Sequence, residues 1–294
     1  MFTVKFFARH SVLACSLFFS ASFLHAETIQ HPTISTESDK YAAGLLKKAI
    51  QTANASLILS ESEIAANNQR AIHMLEDKEL DVLWLATSTE LEDSFIPVRI
   101  PIYKNLMSYQ KLLVNKNSGL TATLADVDQF ETLRKLKLGV VRYSNHSSIL
   151  QTQQMNLVST VKAINLLSML EGGRFDAMPI PIASVSDILS NHPELEVVPN
   201  LVFTWADPTY FFVNIDNPEL AQLITKGLTQ MLESGQFDAY FKASNLALSS
   251  LPELSSESNK IIEVANIHLP KKTPLSQSKL WIKASNKEIL LSSL

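Results

Sequence analysis

Asp81-Val82-Leu83-Trp84-Leu85-Ala86, running into Thr87-Ser88-Thr89, sets the fold class. A nearly unbroken apolar run of this length predicts a strand buried on both faces, as in a parallel sheet covered by helices. Upstream, Asn67 or Asn68 opens a helix whose Ala71, Ile72, Met74 and Leu75 share an apolar side. Before it, 56–59 reads as a brief strand. Tyr41, Leu45, Leu46, Ala49 and Ile50 recur at helical spacing behind a cap at Ser38 or Asp39. The stretch 28–35 opens the series as a strand that Pro32 assigns to an edge. Strand, helix, strand, helix, strand predicts an α/β fold.

Downstream, 106–114 reads as one long strand, and a second series starts after it. Helices are expected over 124–135, 145–154 and 161–170, with strands at 138–141, from Val158, and at 175–180. Gly172-Gly173 ends the last of these helices, because glycine tolerates the left-handed conformation found there. The run 201–213, broken by Pro208, carries the chain back. Asn217-Pro218 then caps a long helix striped by Leu220, Leu223, Ile224, Leu228, Met231 and Leu232. After Leu248, Ser and Pro become frequent, and 261–269 and 280–282 read as short pieces laid on the body. Two αβ lobes joined by two crossings are the expected architecture.

The composition narrows the chemistry. Of 294 residues, 46% are hydrophobic and 18% charged, enough apolar material for a core. Only seven glycines occur, and no stretch fits a Gly-x-Gly-x-x-Gly or Walker A loop, so glycine-built phosphate cradles are excluded. A net charge of −4 without a basic run argues against nucleic acid. No cofactor is expected.

Lys5 and Arg9 precede an apolar run, 11–24, that ends at Leu24-His25-Ala26. This is the pattern of a secretory signal peptide over 1–26, too short for a membrane span. Val12-Leu13-Ala14-Cys15 faintly resembles a lipidation box, with its Leu misplaced. Cleavage after Ala26 would leave 268 residues and no cysteine, so stability must come from the core. Localisation in the periplasm follows.

The order of elements and four short segments resemble the type II periplasmic solute-binding proteins of the family 3 kind, whose best-known members bind polar amino acids for ABC importers. Leu80-Asp81-Val82 is similar to the family's small-lobe strand. Val98-Arg99-Ile100-Pro101-Ile102-Tyr103 resembles its segment before the first crossing. Gly172-Gly173-Arg174-Phe175-Asp176-Ala177 resembles its Gly-Arg-x-Asp-Ala segment, and Asn217 to Tyr240, with Gly235-Gln236-Phe237-Asp238, its C-terminal helix. The resemblance covers residues 28 to 243. It implies a two-lobed fold, with 27–107 and 204–294 as the first lobe and 108–203 as the second. It also implies a small polar solute in the cleft, closure by a hinge, a membrane permease as partner, and a monomer.

The departures fall at the ligand site. Where amino-acid binders carry Thr-x-x-Arg to clamp a carboxylate, this chain has Thr87-Ser88-Thr89-Glu90-Leu91-Glu92, with Glu92 or Leu91 at the Arg position. The amine-binding Asp falls near Ile180 or Pro181, and Gly-Thr-Thr becomes Tyr143-Ser144-Asn145. Candidate ligand contacts are Thr87, Ser88 and Thr89 after the buried strand, and Ser144, Asn145 and Ser147 at a helix start. Both groups can equally serve as helix caps. Arg99 could replace the lost clamp or stand as an ordinary strand residue. Tyr103, Tyr143 and Trp205 could stack on a ligand or fill a core.

Enzymatic readings lack their residues. His31, His73, His146, His192 and His268 form no His-Glu-x-x-His pair, and Ser144 to Ser148 around His146 has no nucleophile elbow. Glu90, Glu92 and Asp93 at a helix start read as dipole-stabilising carboxylates. A solute-binding protein without catalysis or metal is therefore expected. The alternative is a degenerate binding fold serving as an envelope signalling or protein-interaction module.

Overall fold

Alternate residues of the decisive strand face two different cores. In the computed structural model, which describes residues 28–124, 130–142, 144–282 and 287–288, Val82 and Trp84 enter one apolar cluster and Leu83 another. The expected signal peptide, Tyr143 and part of the helix expected at 124–135 lie outside the described residues.

The chain runs β1 (Thr28–His31), α1 (Glu37–Thr52), β2 (Ile58–Glu61), α2 (Asn68–Glu76), β3 (Val82–Ala86), α3 (Thr89–Ser94) and β4 (Phe95–Val98). A first crossing leads to β5 (Gln110–Asn115), α4 (Leu120–Leu124), α5 (Phe130–Arg134), β6 (Lys137–Val141) and α6 (Asn145–Thr152). Then come β7 (Asn156–Thr160), α7 (Ile164–Glu171), β8 (Ala177–Pro181), α8 (Val185–Asn191), β9 (Leu195–Val197) and β10 (Leu201–Thr204). The return crossing leads to β11 (Thr209–Asn214), α9 (Pro218–Glu233), α10 (Gln236–Lys242), α11 (Asn245–Leu254), β12 (Lys260–Glu263) and β13 (Lys287–Glu288).

Local chemistry explains the boundaries. The cap of α1 is Thr36, not Ser38 or Asp39: its Oγ1 accepts from the Asp39 N–H at 3.1 Å, while the Asp39 carboxylate accepts from the Thr36 N–H at 3.0 Å. This is a reciprocal capping box, so Asp39 belongs to the cap as its return member. Asn217 caps α9 through the Leu220 N–H, with Pro218 in the first turn. The expected long strand over 106–114 is shorter. Asn105 sits at φ +68°, which turns the chain into a single 3₁₀ turn over Leu106–Ser108, and the strand begins at Gln110.

Three sheets result. β11 lies between β3 and β4 and is antiparallel to both, and β1 pairs with β2 in parallel. The eight-stranded sheet has the order β13-β12-β10-β5-β8-β6-β7, with β9 also on β5. Helices α1 and α9 cover one face of the first body, where Leu45, Leu46, Ile224 and Leu228 meet Phe211 and Val213; α2 covers the other, beside Tyr210 and Phe212. In the second body Leu112 and Val114 share a core with Ile149 and Leu150 of α6, and Leu113 faces Leu166 and Leu170 of α7. The C-terminal residues divide between the bodies: Ile261 and Leu280 enter the first core, Ile262 and Val264 the second. Among the described residues no helix is long and apolar enough to cross a membrane.

Candidate functional site

The apolar strand β3 delivers Thr87, Ser88 and Thr89 to the seam between the two bodies, and β6 delivers the start of α6 opposite them. Between them lies a cavity of about 610 Å³. Thr87, Ser88, Thr89, Arg99 and Asn145 all line it. The other described candidates, Tyr103, Ser144, Ser147 and Trp205, are not among its lining residues. Tyr103 is buried in the first core, and its hydroxyl donates to the Ser38 carbonyl at 2.9 Å. Trp205 is buried in the second core, with the His146 ring edge-on at 5.0 Å. The apolar surface of both rings is spent on packing. Ser144 is the cap of α6, accepting from the Ser147 N–H, and the Ser147 hydroxyl donates back to the Ser144 carbonyl at 2.8 Å.

Arg99 is already partnered. Its Nε and a terminal nitrogen donate to Glu92 Oε2 at 3.1 and 2.6 Å, and Thr87 Oγ1 donates to Glu92 Oε1 at 2.9 Å. Glu92 has a side chain only 7% exposed, so its charge is neutralised inside the wall. The carboxylate therefore sits inside the site as a built-in anion on the guanidinium. Glu90 stays ionised: hydrogen bonds from its own backbone N–H and from Ser88 lower its carboxyl below the usual range.

Asn145 spans the seam. Its Nδ2 lies 3.3 Å from the Thr87 carbonyl and 3.2 Å from Asp207 Oδ1. Asp207 was not singled out by sequence reasoning, and neither was the far wall of the cavity. That wall is formed by Asn266, Ile267, His268, Leu269, Pro270, Lys271 and Lys272. Lys271 and Lys272 line the same cavity as Glu90 and Asp93, giving a site with charges of both signs and small hydroxyls. Nothing in the local sequence of 266–272 announces this, because its position depends on the distant pairing of β12 with β10. Among the described residues no group of His, Cys, Asp and Glu is placed to hold a metal ion.

Burial sets the protonation of the seam. It raises the Asp207 carboxyl to about 6, against the Asn145 hydrogen bond, and lowers the His146 imidazole, 3.7 Å away, to about 4. The linkages oppose each other. Asp207 favours the native state below pH 3.8, an advantage lost as pH rises through 6. His146 favours it above pH 6.5, an advantage lost as pH falls towards 4. The wild type should show a shallow pH dependence from this pair. Asp207→Asn removes the opposing Asp207 contribution, leaves His146 unopposed, and should lose stability between pH 6.5 and 4 by on the order of 2 kcal/mol relative to wild type. Urea midpoints at pH 7, 5.5 and 4.5 check this, and parallel profiles for the two proteins would refute it.

No protein-family model matches the sequence, and no curated protein matches it. Solved structures do. A periplasmic binding protein of an arginine transport system from Legionella pneumophila superposes with a TM-score of 0.57 at 12% identity, over 74% of this chain and 100% of its own. The two-lobed periplasmic binding-protein fold is established. The probable amino-acid ABC transporter extracellular-binding protein ytmK from Bacillus subtilis gives 0.56 at 16% identity, over 74% and 97%. The substrate-binding protein AbpA from Streptococcus pneumoniae, solved with L-arginine, gives 0.54 at 20%, over 76% and 96%. About a quarter of this chain therefore exceeds the shared fold.

Proposed function

We propose that the chain is an extracytoplasmic solute-binding protein that holds a small polar solute in the cavity between 87–99, the start of α6 and 266–272. The observation that carries this reading is the cavity of about 610 Å³, large enough for a small metabolite and lined by hydroxyls, amides and opposed charges. The likeness to solved binding proteins for amino acids supports the solute class. Within this reading the lobes are built on 27–107 with the chain from 204 onward, and on 108–203, except that β12 joins the sheet of the second lobe, and Ile262 and Val264 its core. The segment 1–26 directs secretion to the periplasm, the protein is monomeric and non-catalytic, and an ABC-type permease receives the solute.

Thermal-shift screening of residues 27–294 against amino acids, peptides, sugars and organic acids tests it. One compound should stabilise the protein by several degrees, since a ligand adds RT ln(1 + [L]/Kd) to the native state. Arg99→Ala and Asn145→Ala should each reduce that shift while leaving the protein folded. No shift with any compound would refute the reading.

A second reading, an envelope signalling or protein-interaction module on the same fold, is favoured by Glu92. A carboxylate that already satisfies Arg99 removes the cation a carboxylate ligand would need. Capture of a defined envelope protein together with silence in the solute screen would support it.

A further inference from the structure

Before the C-terminal stretch two segments join the bodies, 99–109 before β5 and 205–208 after β10. Asn105 ties them together: its Nδ2 donates to the Trp205 carbonyl at 2.8 Å, and its Oδ1 accepts from the Asp207 N–H at 3.1 Å. The C-terminal stretch then bears on both. Lys104, 7% exposed, donates to the Lys279 carbonyl and pairs with Asp238, each at 2.6 Å, and its own carbonyl accepts from the Ile282 N–H at 3.0 Å. Lys111, 2% exposed, pairs with Glu253 at 2.7 Å.

On the return side, β12 runs parallel to β10 through all four residues. The Val264 N–H extends the ladder to the Thr204 carbonyl at 2.7 Å, and Asn266 Nδ2 donates to the Ala206 carbonyl at 2.8 Å. From the second body, Gln153 at the end of α6 donates to the Ala265 carbonyl at 3.2 Å. The same stretch plants Ile261 and Leu280 in one core and Ile262 and Val264 in the other. Hinge closure requires a few connecting residues to change their backbone angles while the bodies rotate. Here those residues are bonded to a third element, which is itself anchored in both bodies.

We propose that residues 253–282 brace the hinge, holding the two bodies at one separation, so that the cavity is a fixed slot entered past its 266–272 wall rather than by lobe rotation. Only the identity of the guest rests on the solute-binding reading; the fixed separation does not.

Spin labels at Ser168→Cys in α7 and Gln230→Cys in α9, both exposed, test this on the full secreted chain, which has no native cysteine after residue 27. Pulsed dipolar spectroscopy should give one narrow interlabel distance that stays unchanged across the compound screen. In a Lys104→Met/Asn266→Ala background, which frees the Lys279 and Ala206 carbonyls, the distribution should widen at least twofold. A broad or two-peaked distribution in the native background overturns the proposal. A narrow one that the releasing substitutions leave untouched overturns it equally. Should that variant fold poorly, Gln153→Ala/Asn266→Ala, which frees the Ala265 and Ala206 carbonyls without removing a charge, carries the same test. A failed solute screen with a narrow, releasable distance would count against the binding reading alone.

Discussion

Gly227→Ala should strongly destabilise the protein, although alanine is the better helix former. Gly227 lies inside α9, where glycine costs about 1 kcal/mol relative to alanine, so a spacious site would gain from the change. There is no space. A Cβ built on Gly227 stands 1.9 Å from the Ala49 carbonyl oxygen and 2.6 Å from its carbon, so it meets the backbone of α1, which cannot swing aside. These are the helices that cover the first sheet, with Leu45, Leu46 and Ile50 of α1 against Leu220, Ile224 and Leu228 of α9. Relief would require the two axes to separate, and every one of those contacts would loosen together. Overpacking against rigid backbone typically costs ~1–3 kcal/mol and occasionally more; with no flexible neighbour to yield, a loss of at least ~3 kcal/mol is expected here. Gly173→Ala provides the contrast. That glycine also needs its special backbone, at φ +66°, but nothing lies within 4 Å of an added Cβ, so the cost should stay near 1 kcal/mol. Urea denaturation followed by circular dichroism measures both. A Gly227→Ala midpoint as high as that of Gly173→Ala would mean that the helix pair can spread at little cost.

The same contrast between local and distant causes explains how far the sequence could be read. The buried strand, the Asn217-Pro218 start of α9 and the Gly172-Gly173 end of α7 were legible because their signals are local: an apolar run, a cap, a residue free of Cβ. The long strand expected over 106–114 was not, since its first residues are turned by Asn105, whose left-handed conformation is held by bonds to a crossing a hundred residues away. At the site, Thr87 and Asn145 could be placed because the ends of strands and the starts of helices meet at a cleft in this architecture. Tyr103 and Trp205 could not, because an aromatic ring beside a crossing looks the same in sequence whether it faces solvent or a core. The residues least legible were 266–272. Their part in the cavity is decided by β12 joining the sheet beside β10, a pairing between elements nearly sixty residues apart.

Lys111 and Glu253 should respond very unequally to substitution, though each is the other's partner. Lys111 lies on β5, opposite Ile180 of β8, in the middle of the large sheet, and only 2% of it reaches solvent. The Glu253 side chain, 38% exposed, approaches from α11, and the Asn259 side-chain amide donates to its backbone carbonyl. Glu253→Ala would strand the ammonium inside the sheet with, among the described residues, only Asn259 Oδ1, at 3.5 Å, to replace the carboxylate. Breaking a buried pair in this way costs about 3–5 kcal/mol, because the remaining charge has lost its water as well as its partner. Lys111→Met keeps the length of the stem and leaves a carboxylate that can turn to solvent, so its cost should be below about 1 kcal/mol. The double variant Lys111→Met/Glu253→Ala should recover most of what Glu253→Ala loses, a coupling that a double-mutant cycle reads directly. If Glu253→Ala proves as mild as Lys111→Met, the ammonium must reach water, which it can do only if α11 lifts away from β5. That outcome would place the weak point of the C-terminal stretch at its start rather than at its wall of the cavity.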